Sequence, residues 1–211
     1  MKETSANLKR MTEFGIGEGI SEIIVATKNS PSGEKPFNAA PFGIIWKNDK
    51  MFLRLFRGTK TCENLMQEDF FSANITADSV LYARSTFYDL DSHEFSTLNF
   101  SGTIVPVLKE ADRYVVFQCK NRVLAEDTIL IDIEPIGFKI QTPTSGFLPN
   151  RGFYSILEIC IHLTRYEQTR DPKYIEWIRH HWSLAQRCGR KNDKEALAIL
   201  KKRMAGFEDD F

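Results

Sequence analysis

LRLFRGTKTCENL, residues 53–65, runs from an apolar, strand-like stretch through a polar turn into the start of a short helix. After Phe56, the turn Arg57-Gly58-Thr59-Lys60-Thr61 brings two cations, one glycine and two hydroxyl groups. A strand–turn–helix junction presents free backbone N–H groups, which can bind a phosphate. An ordinary capped surface turn would have the same composition. The segment therefore predicts one of two structures, a capped turn or an anion site.

The side chains of this turn match the needs of a phosphate monoester. Arg54 lies among leucines, where burying its charge is costly unless an anion meets it. Arg57 and Lys60 add positive charge, Thr59 and Thr61 add hydroxyl groups, and the amides that open the helix favour a negative charge. A helix cap with surface charges remains an equal interpretation of the turn alone.

A neighbouring strand-like segment, FNAAPFGIIW at residues 37–46, has small residues where β-branched ones are expected. Ala39 and Ala40 leave room, Pro41 removes one N–H from the ladder, and Asn38 offers a polar group. This suits a flat ring against the strand, although an edge strand with a bulge would look the same. A phosphate-like turn one strand away from such a platform describes a site for flavin mononucleotide (FMN).

Strand-like segments continue through the first 141 residues, and one helix is predicted among them at residues 77–87. The predicted strands are 20–27, 37–46, 50–57, 70–76, 98–107, 114–120 and 128–140. Such a set, with short turns and few helices, predicts a barrel or a sandwich.

The period changes after the segment TPTSGFLPN, residues 142–150, which its prolines, glycine and hydroxyl groups mark as a connector. Helices are predicted from about residue 150 to Tyr166, from Asp171 to near Gly189, and from Asn192 through Met204. We therefore expect an α+β, mainly β protein, with a barrel domain at 1–141, the connector, and a C-terminal helical region at 151–211.

The composition of the 211 residues, with 42% apolar and 27% charged residues, is that of a soluble globular protein. The formal net charge is zero, which disfavours nucleic acid as a partner. The N-terminus lacks the apolar core of a secretory signal, and no segment approaches the ~18 apolar residues of a membrane span. We expect a cytoplasmic protein that binds no membrane.

No metal site is predicted. The four cysteines and four histidines show no recognised zinc spacing, and we expect the cysteines to be reduced and mostly structural. Glu158 and His162 are four residues apart on a predicted helix and could supply two ligands. Because no third ligand is apparent in the sequence, we expect an ion pair or hydrogen bond there instead.

Five segments, GEGISEIIVAT, NAAPFGII, LRLFRGTKTCENL, NITAD and NRGFYSILEICIHLTR, resemble a family of FMN-binding split-barrel proteins whose function is unknown. The family is best represented in methanogenic archaea and in bacteria with a related one-carbon metabolism. It is distantly related to flavin reductases and pyridoxamine-phosphate oxidases. Its strongest motif is a phenylalanine-led turn followed by Thr-x-Thr-x-x-Asn-Leu, matched by Phe56, Thr59, Thr61, Asn64 and Leu65.

The resemblance implies an FMN-binding split β-barrel followed by C-terminal helices, and a homodimer with FMN at the subunit interface. It places Asn38, Ala39 and Ala40 along the isoalloxazine ring. Asn150 and Arg151 would reach the cofactor of the partner chain, or would only cap their helix. Phe56 leads the turn of the family motif. The resemblance assigns six residues to the phosphate and ribityl end of FMN: Arg54, Arg57, Thr59, Lys60, Thr61 and Asn64.

Two functions follow from these observations. The first is an FMN-dependent oxidoreductase, similar to flavin reductases, acting on an unidentified small molecule. The second is a non-catalytic FMN-binding carrier, sensor or assembly subunit. No side chain stands out as a catalytic acid or base, and His93 is expected to be a solvated loop residue. A third hypothesis, nucleic-acid binding by the cationic residues 187–203, is disfavoured by the neutral net charge.

Overall fold

The computed structural model describes residues 9–30, 35–100, 102–142 and 151–206. The chain forms two compact units. The barrel unit comprises Met1–Thr76 and Asp89–Pro143, and the helical unit comprises Ala77–Tyr88 and Thr144–Phe211. Most of the predicted connector, including Asn150, lies outside the described residues.

The strands of the barrel unit, in chain order, are β1 (Gly19–Lys28), β2 (Phe37–Lys47), β3 (Lys50–Phe56), β4 (Phe70–Ile75), β5 (Phe95–Phe100), β6 (Thr103–Leu108), β7 (Arg113–Leu124) and β8 (Thr128–Ile140). Six of them close into a barrel in the order β1-β2-β3-β8-β7-β4, and the pairings are antiparallel. The predicted mainly β barrel is confirmed, and the sandwich alternative is not.

Alternation along β3 shows how the sequence specifies the barrel. Leu53 and Leu55 are fully buried, and they lie opposite Ile131 and Ile129 of β8, which are also buried. Arg54, between the two leucines, is exposed. Successive side chains of a strand point to opposite faces, so the leucines fill the barrel while the arginine faces outward. The charge of Arg54 is therefore not buried by the fold.

Residues 98–107 form part of a hairpin, so the prediction of one strand there was wrong. β5 pairs antiparallel with β6 in a separate two-stranded sheet. Gly102 has a φ of +83°, a left-handed conformation that glycine adopts without steric cost. The hairpin is held to β4 by Ser72, whose Oγ donates to the Pro106 carbonyl at 2.6 Å.

Residues 9–13 are helical, and the longer helices are α1 (Lys60–Gln67) in the barrel unit, and α2 (Ser79–Phe87), α3 (Arg151–Thr169), α4 (Lys173–Cys188) and α5 (Lys191–Met204) in the helical unit. The predicted domain boundary places α2 with the barrel, whereas its Ala83 is buried in the core of the helical unit with Leu163 and Leu200. Among the described residues, no helix combines the length and apolar character that crossing a membrane requires.

Candidate functional site

The turn between β3 and α1 is a capped turn. Gly58 has a φ of +79°, where a side chain would be strained. Thr59 is the N-cap of α1: its Oγ1 accepts a hydrogen bond from the Cys62 N–H at 3.4 Å and donates one to the Phe56 carbonyl at 2.8 Å. The first N–H groups of a helix have no acceptor within it, so the cap leaves donors for an anion. The two sequence interpretations of this turn are therefore compatible.

A network of buried polar side chains ties α1 to two strands. Asn38 of β2 donates through Nδ2 to Thr61 Oγ1 at 2.9 Å. Asn64, which is 6% exposed, donates through Nδ2 to Thr27 Oγ1 at 2.8 Å and to Asn29 Oδ1 at 2.7 Å. Thr27 lies opposite Asn38 in the pairing of β1 with β2. The amides of Asn38 and Asn64 are thus engaged within the protein and fix the position of the helix start.

β2 has an unpaired backbone edge beside this network. It pairs with β1 along Phe37 to Trp46, but with β3 only from Ile44 to Lys47. On the side of β2 that faces away from β1, no strand in the described part of the chain pairs with residues 37–43. Ala39 is buried and Ala40 is half-buried within this stretch. The small residues predicted to face a ring therefore lie where backbone groups are available to a ligand.

The three predicted cations of the site, Arg54, Arg57 and Lys60, are exposed. Arg57 donates through Nη1 to the Glu126 carbonyl at 3.2 Å. Lys60 Nζ lies 2.9 Å from Asp89 Oδ1, and both side chains are about half exposed. An ion pair in that setting contributes little, ~0–1 kcal/mol. An anion at the turn can therefore compete with Asp89 for Lys60.

Several apolar side chains lie on the outward face around Arg54. Arg54 lies opposite Leu130 of β8, which in turn lies opposite Val123 of β7. Phe56 is 60% exposed and Val123 is 59% exposed. A group of exposed apolar side chains on neighbouring strands is typical of a surface that another protein covers.

The structure thus groups the predicted flavin residues of the barrel unit around one junction. Hydrogen bonds connect Asn38 with Thr61, while Asn64 is bound to Thr27 and Asn29. Arg151 is exposed at the start of α3 in the helical unit. The roles of all these residues in flavin binding stay predictions.

Three residues of the junction were missed by the sequence analysis: Thr27, Asn29 and Asp89. Each contacts a predicted site residue from a distant part of the chain. Hydroxyl, amide and carboxylate residues of this kind are common in turns and at strand ends. No local pattern distinguishes them, so only the contact itself identifies them.

No disulfide joins the cysteines in the described part of the chain, and Cys62, Cys119 and Cys160 are buried, in line with a mostly structural role. Burial raises the pKa of Cys119 and of Cys160 to about 12. A thiol needs to ionise to act as a nucleophile or metal ligand, so these two are unreactive at neutral pH.

In the helical unit, the predicted Glu158–His162 pair is present, with 3.5 Å between Oε2 and Nε2. The expectation that no third metal ligand accompanies it needs correction. His181 of α4 joins them, and one ligand atom from each of the three residues lies within 4.8 Å of the others. Burial lowers the pKa of His162 and of His181, which favours neutral rings. His181 was missed because it lies on a different helix.

Comparison with protein-family models matches both regions of the chain. Residues 21–142 match the N-terminal domain of DUF447, a protein family of unknown function. Residues 150–202 match the second region of the same family. The uncharacterized protein MJ1453 of Methanocaldococcus jannaschii is 41% identical over 201 residues, which cover 88% of this chain and 98% of the relative.

Solved structures include a protein of the same family. The FMN-bound protein MM1853 of Methanosarcina mazei matches 91% of this chain and 98% of its own, with 40% identity and a TM-score of 0.83. A flavin reductase domain protein of Arthrobacter sp. FB24 is a weaker match, with 8% identity, coverage of 67% and 96%, and a TM-score of 0.46. The resemblance noted in the sequence is confirmed, and the chain belongs to the DUF447 family.

Proposed function

We propose that the chain binds FMN at the junction of β2, β3 and α1, and uses it to oxidise or reduce a small molecule. The observation that carries the proposal is the unpaired edge of β2 beside the capped start of α1, linked by the 2.9 Å hydrogen bond from Asn38 to Thr61. The FMN-bound crystal structure of MM1853, which is 40% identical, supports it.

The start of α1 fits the phosphate of FMN. The first backbone N–H groups of the helix supply donors, and the helix dipole favours the negative charge. Arg57 and Lys60 supply exposed positive charge at the same turn. Thr61 and Asn64 are buried, so their contribution is to hold this turn in place from beneath.

The open edge of β2 fits the isoalloxazine ring. Ala39 and Ala40 offer little side-chain bulk, and the backbone groups of residues 37–43 that face away from β1 can hydrogen-bond to ring heteroatoms. Pro41 has no N–H, so it leaves no unpaired donor at that position.

Bound FMN would supply the electron and hydride transfer. The contribution of the chain is to bind and orient the flavin. The predicted site consists of residue types that do not normally titrate near neutral pH: asparagine, alanine, arginine, phenylalanine, threonine and lysine. We therefore assign these residues to binding, and no proton-transfer role to any of them.

We further propose that the protein is a homodimer that covers the outward face around Arg54. The exposed Phe56 on β3 and Val123 on β7, two strands that both pair with β8, support this arrangement. It would bring Arg54 close to a flavin at the subunit interface. Light scattering of the FMN-loaded protein at micromolar concentration should report a dimer, and Val123→Asp should shift it to a monomer; a wild-type monomer would contradict the proposal.

Calorimetric titration with three flavins tests the phosphate assignment. FMN should bind on the order of 100-fold more tightly than riboflavin, because riboflavin lacks the charge-assisted hydrogen bonds of the phosphate. FAD should also bind more weakly than FMN, because the site is built around a terminal phosphate. Equal affinity for FMN and riboflavin would rule out a phosphate site at α1.

Anaerobic reduction separates an enzyme from a carrier. The absorbance of the protein-bound flavin is followed after addition of NADH or NADPH, and then of candidate acceptors. Reduction by a donor and reoxidation by a small acceptor, both faster than for free FMN, would support the oxidoreductase. Tight FMN binding without either acceleration would favour the alternative carrier or sensor.

A further inference from the structure

A cluster of two histidines and one glutamate lies between α3 and α4 of the helical unit. Glu158 and His162 are four residues apart on α3, so their side chains share one face of the helix. His181 comes from α4. One ligand atom from each of the three residues lies within 4.8 Å of the other two.

The distances suit a metal ion better than a hydrogen bond. His162 Nε2 and Glu158 Oε2 are 3.5 Å apart, which is longer than the ~2.7–3.2 Å of an N–H···O hydrogen bond. Two ligands that each lie ~2.0 Å from a tetrahedral zinc ion are separated by roughly 3.3 Å. The His181 ligand atom lies no more than 4.8 Å from each of the other two ligand atoms.

The histidine rings also have unused hydrogen-bonding capacity. In the part of the chain that the structure describes, the buried Nδ1 atoms of His162 and of His181 have no hydrogen-bond partner. His162 is 7% exposed, and its ring packs 4.9 Å from that of Trp177. The His162 nitrogen that faces Glu158 is Nε2, so an ion held there would leave Nδ1 available to a water molecule. Burial also disfavours a charged ring, and a neutral imidazole has the lone pair that a metal requires.

We propose that Glu158, His162 and His181 bind one divalent transition-metal ion of the zinc class. Imidazole and carboxylate are common zinc ligands, and a set of three leaves a fourth position for water or another small ligand. The side chain of Glu158 is 46% exposed, so the ion can enter from solvent. The ion would join α3 to α4 and would be independent of flavin binding in the barrel unit.

Zinc titration tests the site directly. The protein is dialysed against a chelator, and Zn²⁺ is then added in competition with a chromophoric chelator. One Zn²⁺ per chain should bind, and His181→Gln, which removes a direct ligand, should weaken binding by at least the roughly 10–100-fold that loss of an outer-shell partner costs. Glu158→Gln should weaken binding by about tenfold. The matched control is His180→Gln, an exposed neighbour of His181 outside the cluster, which should leave the affinity unchanged.

Two further measurements separate coordination from a structural effect. Co²⁺ in the wild-type protein should give the visible absorption bands of a four-coordinate site, and His181→Gln should lose them while its circular dichroism stays native. Zn²⁺ should raise the melting temperature of the wild type but not of Glu158→Gln, because an ion that binds the native state stabilises it. Zn²⁺ affinity unchanged in both His181→Gln and Glu158→Gln, or no stoichiometric binding by the wild type, would overturn the proposal.

Discussion

The buried amide of Asn64 in the barrel unit donates hydrogen bonds to two acceptors, whereas the buried ring of His162 in the helical unit leaves its Nδ1 without a partner among the described residues. The first arrangement is complete within the protein, and so it can hold the turn at α1 in position before any ligand binds. In the second, the nitrogen that faces Glu158 is Nε2, and Nδ1 has no partner among the described residues. Both regions contain candidate sites, but one is preorganised by its hydrogen bonds and the other is not.

The sharpest test of this contrast is Asn64→Leu. The variant removes two buried hydrogen bonds and leaves Thr27 Oγ1 and Asn29 Oδ1 without that donor. We expect the free energy of unfolding to fall by about 2–4 kcal/mol, measured by urea denaturation. Glu63→Gln, an exposed change on the same helix, is the control and should have little effect. A loss below about 0.5 kcal/mol would show that the network does not stabilise the junction.

Thr61→Val tests the other connection of the network with a smaller change. Valine keeps the shape of threonine but removes the acceptor of the Asn38 amide. We expect a loss of about 1–2 kcal/mol in the free energy of unfolding and a weaker affinity for FMN, because the start of α1 is less firmly held. Calorimetry and urea denaturation on the same preparation measure the two effects. If neither changed, the Asn38–Thr61 hydrogen bond would have no role in the site.

His162→Leu applies the comparison to the helical unit. Leucine has a similar volume and removes the unpaired Nδ1, and it loses the 3.5 Å contact with Glu158 and the ring contact with Trp177. With a chelator present, we expect the free energy of unfolding to change by about 1 kcal/mol or less. A loss as large as that of Asn64→Leu would mean that the histidine is part of a complete network after all.

Lys60→Met should have the smallest effect on stability. Lys60 and Asp89 form a half-exposed ion pair, so its removal should change the free energy of unfolding by less than about 0.5 kcal/mol. Affinity for FMN should fall about threefold, and more at low salt, where the attraction of charges is least screened. Lys139→Met, a change of an exposed lysine on β8, is the matched control. Equal salt dependence in the two variants would remove Lys60 from the phosphate site.

Most strands were predictable because their signal is local. Alternation of apolar and polar residues in β3 reflects the burial of one face, and the β-branched run of β1 reflects burial of both faces from Ile23 to Thr27. The sequence of the β5–β6 hairpin resembles that of one strand, because apolar residues lie on both sides of its short turn. Gly102 is the signal in the sequence for the turn. The assignment of α2 to the helical unit depends on packing partners that follow it by some 70 residues or more.

The sequence by itself determined the barrel-forming strands and the polar strand-to-helix turn after Phe56, because each depends on residues that are neighbours in the chain. Five such local segments together carry the family resemblance. Only the tertiary structure decided which side chains meet: that Asn64 contacts Thr27 and that His181 joins Glu158 and His162. Such contacts join residues far apart in sequence, and they arise from the packing of whole elements against one another. Local periodicity specifies which face of an element is buried, but not which atoms it will touch.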